Sequence, residues 1–182
     1  SIQKTLDGGY IVVGYTYCYG AGSDDVYLIK TDANGDTLFT KTFGGSNSDE
    51  GNSVQQTNDG GYVVVGSTLS FGAGNWDVYL IKTYANGDTQ FTKTFGGSGQ
   101  EEGYSIMQTN DGGYIITGII RSMGKDNFDV YLIKTDTNGE TLFTKVIGGD
   151  NDEYVFSIQQ ISDGYIIVGG TYSYGMGGED VY

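Results

Sequence analysis

The sequence predicts an all-β chain built from stacked four-stranded units, and three observations carry that expectation. The tetrapeptide Asp-Gly-Gly-Tyr occurs at Asp7–Tyr10, Asp59–Tyr62 and Asp111–Tyr114, with a shortened copy at Ser162–Tyr165. Its tyrosines stand 52, 52 and 51 residues apart. A second marker, Asp-Val-Tyr-Leu-Ile-Lys, begins at Asp25, Asp77 and Asp129, and a stub, Asp180-Val181-Tyr182, closes the sequence. No stretch carries the apolar period of an amphipathic helix, so none is expected.

The copies are close. Asp25–Ser46 aligned on Asp77–Ser98 gives 22 positions with two differences, Asp32/Tyr84 and Leu38/Gln90. In the second copy the first strand is expected at Ser53–Thr57, followed by the turn Asn58-Asp59-Gly60-Gly61. Glycines there supply the positive φ angles of a tight hairpin. The second strand, Tyr62–Thr68, is nearly continuous in β-formers, the pattern of a strand covered on both faces. A longer loop, Leu69 to Trp76, leads to a third strand at Asp77–Thr83. Asn86-Gly87 then turns the chain into a fourth, Thr89–Phe95.

Four antiparallel strands repeating at this interval are the pattern of a β-propeller blade. A lone four-stranded sheet cannot bury both faces, whereas neighbours stacked round an axis cover one another. The expected blades are residues 1–52, 53–104 and 105–156, with a partial fourth at 157–182. At 182 residues the chain holds about 3.5 repeat lengths. A propeller closes with 4–8 blades. Further blades are therefore expected from a longer chain or from a second copy.

Composition excludes several function classes. With 9 basic and 23 acidic side chains the formal charge is −14, which disfavours nucleic acid or an anionic membrane as partner. No apolar run approaches the ~20 residues of a membrane helix. There is no His and one Cys, Cys18, so triads, zinc sites and disulfide scaffolds lose their usual ingredients. No Gly-x-Ser-x-Gly or phosphate loop is present. Adjacent acids such as Glu101-Glu102 could serve a glycosidase only if their side chains converged, and neighbours on a strand diverge.

The run Gly-Gly-Ser…Asp-Glu-Gly, then Asn-Asp-Gly-Gly-Tyr-Val-Val-Val-Gly, then Asp-Val-Tyr-Leu-Ile-Lys…Asn-Gly-Asp…Phe-Gly-Gly resembles the prokaryotic β-propeller repeats called SBBP. The likeness runs through nearly the whole chain and implies a secreted or cell-surface module, in a family mostly of undefined function. Loops of that family often carry Pro, which this chain lacks, so their conformation does not transfer.

Function is expected on one face. Alternating strands put the short Asp-Gly-Gly and Asn-Gly turns at one end and all the long loops at the other. Long loops on a rigid scaffold are where binding residues concentrate. That end carries Tyr19, Phe71, Trp76, Phe128, Glu50 and Glu102, the candidate ligand-binding residues. A protein or carbohydrate ligand is expected there, with a lectin-like site using Trp76 and loop tyrosines as the alternative. Asp49, Glu101 and Glu153 are candidate calcium ligands, and equally residues whose carboxylates cap loop N–H groups. Asp25, Asp77, Asp129 and Asp180 share that second reading. The Asp32–Asp36 turn has alternating oxygens but lacks the closing bidentate Glu, so a hairpin suffices to explain it. Gln3, Gln55, Met107 and Gln159 align, as do Lys4, Gln56, Gln108 and Gln160, and one set is expected to line a central channel. Lys30/Lys41, Lys82/Lys93 and Lys134/Lys145 are expected to lay their stems over Phe and Leu at blade edges.

Overall fold

The computed structural model describes residues 1–121, 126–175 and 177–181. Residues 122–125 and 176, in two of the expected long loops, and Tyr182 of the stub lie outside the described residues. Every regular element described is a strand, in four antiparallel sheets.

The first sheet is β1 (Ile2–Lys4), β2 (Tyr10–Thr16), β3 (Asp25–Thr31) and β4 (Thr37–Phe43). The second is β5 (Asp49–Gln56), β6 (Tyr62–Thr68), β7 (Asp77–Thr83) and β8 (Thr89–Phe95). The third is β9 (Gln100–Gln108), β10 (Tyr114–Arg121), β11 (Asp129–Thr135) and β12 (Thr141–Ile147). The fourth holds β13 (Glu153–Ile161), β14 (Gly164–Thr171) and the two described residues of β15 (Asp180–Val181). Strands pair in sequence order in each sheet, so the meander read from the repeat is present.

Consecutive sheets stack through three apolar cores. Ile11, Val13, Val26 and Leu28 of the first sheet meet Val54, Tyr62, Val64, Tyr79 and Ile81 of the second. Val63, Val65, Val78 and Leu80 then meet Ile106, Tyr114, Ile116 and Ile133. Ile115 and Leu132 meet Ile158, with Tyr165 and Ile167 packed alongside. Hence β6 and β7, sandwiched on both sides, are buried at every residue. Continuous β-former composition signalled that double burial for β6, whereas β7 is equally buried although its Asp, Lys and Thr break the pattern.

Three strand starts differ from expectation. β5 opens at Asp49 rather than Ser53, and β9 and β13 likewise begin at Gln100 and Glu153. Asp49, Glu50, Glu101, Glu102 and Glu153 are therefore strand residues, not loop residues. The polar Asp-Glu-Gly-Asn stretch pairs with β6 from Asp49 to Gly51, and a bond to the preceding unit adds to that pairing. Asp49 N–H donates to Asp24 O at 2.7 Å, and Glu101 N–H to Trp76 O at 2.7 Å. A register shift between Gly51 and Ser53 absorbs Asn52 as a bulge.

The two repeat markers turn out to be partners. Lys82, expected at a blade edge, has a side chain only 3% exposed and pairs with Asp59 Oδ2 at 2.9 Å. Its ammonium also donates to Thr83 O at 2.9 Å. Asp59 Oδ1 accepts from Thr57 Oγ1 at 2.5 Å and from Gly61 N–H at 3.0 Å. Lys30–Asp7 and Lys134–Asp111 repeat the pair, each at 2.9 Å. Gly60 alone of the diglycine has positive φ, 82°. Gly61 is required for room, since a Cβ there would collide with Thr83 O and come within 2.6 Å of Lys82 Nζ. Lys41 and Lys93 do something else: they cross to the next sheet's turn, at 2.7 Å from Asp88 and 2.6 Å from Glu140.

The aligned glutamines also have a defined task. Gln56 N–H donates to Gln3 Oε1 at 2.6 Å, and Gln108 N–H to Gln55 Oε1 at 2.5 Å. Turn N–H groups of Leu6, Asn58 and Asn110 donate to the side chains of Gln56, Gln108 and Gln160. The amides stitch the first strands of neighbouring sheets together. Asn34-Gly35, Asn86-Gly87 and Asn138-Gly139 are hairpin tips, but only the Gly is left-handed, with φ of 91°, 81° and 77°. Each is a type I turn closed by a left-handed Gly, not a two-residue primed turn.

Because Asp59 is more than half exposed and Lys82 is buried, the pair is asymmetric to mutation. Asp59→Ala strands a buried ammonium and is expected to cost about 3 kcal/mol, whereas Lys82→Met leaves a solvated carboxylate and costs clearly less. Urea unfolding of both variants checks the order. In Asp111 the Thr109 hydroxyl first, then the Lys134 ammonium, hold the carboxyl down to about 2 from its ordinary 3.8. A depressed carboxyl contributes stability above its unfolded value and loses it as pH falls through the folded one. The unfolding midpoint is expected to drop between pH 3.8 and about 2, less steeply in Lys134→Met.

Candidate functional site

The first residues of β5, β9 and β13 lie at the end of the sheets that also bears the long loops. Alternation along a strand sends their side chains to two destinations. Asp49, Glu101 and Glu153 turn inward and are buried. Glu50, Glu102 and Tyr154, one residue on, are half-buried at the rim.

The inward set caps loops. Asp49 Oδ2 accepts from Gly45 N–H at 2.8 Å and from Ser70 Oγ at 2.7 Å, while Oδ1 accepts from Thr68 Oγ1. Glu101 accepts from Gly97 N–H at 2.7 Å, and Glu153 from Gly149 N–H at 2.8 Å and Thr171 Oγ1 at 2.9 Å. The third-strand acids behave alike: Asp25 accepts from Ala21 N–H at 2.8 Å and Asp77 from Ala73 N–H at 3.1 Å. The two sets meet. A Cβ at Gly44, Gly96 or Gly148 would run into both acids of the pairs Asp25/Asp49, Asp77/Glu101 and Asp129/Glu153. Burial, and then the neighbouring Asp77, push the Glu101 carboxyl up, and burial pushes Asp25 and Asp77 up as well. Among the described residues no group of three or more His, Cys, Asp or Glu is arranged to hold a metal. In the Asp32–Asp36 turn, Asp32 Oδ1 is used by Asn34 N–H at 2.8 Å and Asp36 N–H at 2.9 Å.

Of the rim set, Tyr154 lines a cavity of about 430 Å³, together with Asn52, Tyr104, Val155 and Phe156. Tyr104 donates its hydroxyl to Glu102 Oε2 at 2.7 Å. Glu102 Oε1 accepts from Gln100 Nε2 at 2.7 Å, and Gln100 Oε1 from Arg121 at 2.8 Å. That Arg121 guanidinium lies 5.1 Å from the centre of the Phe128 ring. A polar relay thus runs from Phe128 to the cavity wall. Burial first, then the fields of Glu102 and Asp24, push the Glu50 carboxyl up. Burial and the bond to Glu102 push the Tyr104 hydroxyl up strongly, with Glu50 and Tyr154 adding to it. Glu50, Glu102, Tyr104 and Tyr154 form one electrostatic unit drawn from three sheets.

The other expected site residues lie apart from it. Tyr19 stacks on Tyr27 at 6.1 Å and lines a separate cavity of about 480 Å³ with Thr40 and Thr42. Phe71 packs on Tyr79 of its own sheet at 5.6 Å. Trp76 is half-buried, and its carbonyl anchors Glu101. Tyr104 and Tyr154 were not singled out from sequence. The signal was available: Asn52/Tyr104/Phe156 and Glu50/Glu102/Tyr154 are equivalent positions that differ between otherwise uniform copies.

Comparison with known proteins adds little that is specific. No protein-family model matches the chain. It is similar to the regulatory protein FlaEY of Caulobacter vibrioides, with 27% identity over 197 aligned positions covering 93% of this chain and 20% of FlaEY. The chain therefore spans about a fifth of that relative's length.

A raised carboxyl pKa means that the unfolded chain releases its proton first, so stability falls as pH rises past the unfolded value. For Glu101 that value is 4.5. Glu101→Gln is expected to flatten the decline in unfolding midpoint between pH 4.5 and neutrality, measured by thermal melts across that window.

Proposed function

We propose that the four sheets are blades of a β-propeller and that the chain is a non-catalytic binding module, in the secreted or cell-surface setting that the SBBP resemblance implies. Three features support the propeller arrangement. The sheets stack in order through equivalent cores, their first strands are neighbours, and glutamines join those strands. In such an arrangement the first strands surround the axis, and the rim cavity opens beside it.

The observation that carries the binding reading is a cavity walled by Tyr104 and Tyr154, with the Glu102 carboxylate bonded to the Tyr104 hydroxyl and Glu50 acting on the same hydroxyl through its field. Two carboxylates and aromatic rings suit a cationic group, which gains both charge pairing and ring contact. The ligand is a protein partner that presents Arg or Lys at the cavity. The acidic charge of the whole chain steers such a partner toward it. A carbohydrate would use the same rings without the salt-sensitive part.

Calorimetric titration with Arg- and Lys-bearing peptides tests this. Binding that weakens with salt and falls at least about tenfold in Glu102→Gln is expected. Binding of a neutral glycan that depends on Trp76 would replace the reading with the lectin-like one. Turnover of a glycoside, abolished in Glu102→Gln, would replace it with an enzyme.

A further inference from the structure

The crevice between the second and third sheets, at the end that carries the short turns, opens into a cavity of about 380 Å³. Part of its lining is common to the repeat. Asp59, Lys82, Gln108, Tyr114 and Asn138 have the counterparts Asp7, Lys30, Gln56, Tyr62 and Asn86 between the first and second sheets. Three other lining residues are not shared. Asn58, Gln90 and Thr137 stand where the first pair of sheets has Leu6, Leu38 and Ala85. All three differences run from apolar to polar, and all three fall on one cavity. Stacking does not require them, since the first pair of sheets stacks with the apolar residues. Gln90 is also one of the two differences within the 22 aligned positions of the first and second copies.

Hydrogen-bonding capacity is left over in this cavity. Tyr114 is 2% exposed and lines it, and its hydroxyl has no hydrogen-bond partner among the described residues. Buried hydroxyls are ordinarily paired, so this one calls for a partner. Burial, and then the Asp59 charge, push it up to about 12, which keeps it a proton donor at neutral pH. Asn58 and Asn138 bond through their backbone N–H groups, to Gln108 Oε1 at 2.9 Å and Asp136 Oδ1 at 2.8 Å, and their side-chain amides remain free. The Gln90 amide and the Thr137 hydroxyl likewise bond to nothing among the described residues. Charge, in contrast, is already balanced. Asp59 and Lys82 pair at 2.9 Å, and the ammonium also donates to Thr83 O at 2.9 Å. An ionic ligand would have to compete with that pair. The free groups are amides and hydroxyls, which donate and accept, and ligand hydroxyls match both capacities.

We propose that this crevice binds a small, neutral, hydroxyl-rich compound, a sugar or polyol, through Tyr114, Asn58, Gln90, Thr137 and Asn138. Tyr114 donates to one ligand oxygen, and the three amides each accept from one ligand hydroxyl and donate to another. An apolar ligand would leave these groups unpaired, and a charged one would meet no free counter-charge. Asn58 and Gln90 come from the second sheet, and Tyr114, Thr137 and Asn138 from the third. The ligand therefore bridges two sheets and raises the unfolding midpoint. The site lies at the opposite end of the sheets from the rim cavity and from Trp76. It needs only the contact between the second and third sheets, and it stands whether or not the rim cavity binds a cation.

Titration with glucose, galactose, mannose, inositol and glycerol, followed by heteronuclear NMR of the side-chain amides, tests it. At least one of these probes is expected to shift the Asn58, Gln90 and Asn138 amide resonances saturably at millimolar concentration, the affinity that so small a ligand supplies. The triple variant Asn58→Leu/Gln90→Leu/Thr137→Ala installs the residues that the first pair of sheets already carries. It is expected to keep the wild-type backbone amide spectrum elsewhere and to bind at least about tenfold more weakly. Tyr114→Phe, which removes one hydroxyl, is expected to weaken binding about fivefold. Trp76→Ala is expected to bind as the wild type does, which separates this site from a lectin-like one among the long loops. Absence of any shift at these amides with every probe up to about 100 mM would overturn the proposal, as would undiminished binding by the triple variant. Binding that is lost in Trp76→Ala and kept in the triple variant would overturn it too.

Discussion

A lysine ammonium drawn out of water beneath a hairpin turn is the constraint on which each full repeat depends. Lys82 is pinned between the Asp59 carboxylate and Thr83 O, and nothing larger than hydrogen fits at Gly61 above it. Burying a charge costs several kcal/mol unless it is paired and hydrogen-bonded, so the surrounding residue types are narrowly set. Thr57 and Asp59 must hold the carboxylate, two glycines must turn and make room, and the lysine must close the third strand. The same device at Lys30 and Lys134 ties the first turn of each unit to its third strand. The fourth copy departs from it, with Ile161 at the Thr position and one glycine fewer, and its strands pair directly from Ile161 to Gly164.

Stacking follows from that local frame. Once the turn fixes register, alternate residues of β2, β6 and β10 fall on opposite faces, and both faces are apolar. Neither face can be left in water cheaply, so each sheet recruits a neighbour. Hydrophobic burial is nondirectional, and the glutamine and lysine bonds between sheets supply what it lacks: a fixed axial setting of one sheet on the next. The rim acids sit where this setting puts them. Asp49 and Glu101 are consumed by loop capping, while Glu102, one residue on, is bonded to the Tyr104 hydroxyl that lines the cavity.

Much of this was legible in the sequence, for physical reasons that can be named. Repetition exposed the unit, continuous β-formers exposed β6 as doubly covered, and glycine-bearing turns placed the hairpins. The first-strand starts were not legible, because Asp49-Glu50-Gly51-Asn52 has no strand propensity and is held by its pairing with β6 and by the bond from Asp49 N–H to Asp24 O of the preceding unit. The partnership of Asp59 with Lys82 was hidden for a similar reason. It joins residues 23 apart, and neither motif alone announces a buried charge. At the candidate site, Glu50 and Glu102 were singled out from sequence, whereas the cavity is lined by Asn52, Tyr104 and Phe156, the residues at which the register of β5, β9 and β13 shifts, and by Tyr154.

A double-mutant cycle on Asp59 and Lys82, read by urea unfolding at neutral pH, tests the central claim most directly. Paired with the exposed Lys41–Asp88 bridge as control, it separates a structural pin from ordinary surface charge. A coupling of about 1.5 kcal/mol or more at Asp59–Lys82, against less than about 0.5 kcal/mol at Lys41–Asp88, is the predicted result. Equal, small couplings at both pairs would contradict it and leave the repeat held by apolar stacking alone.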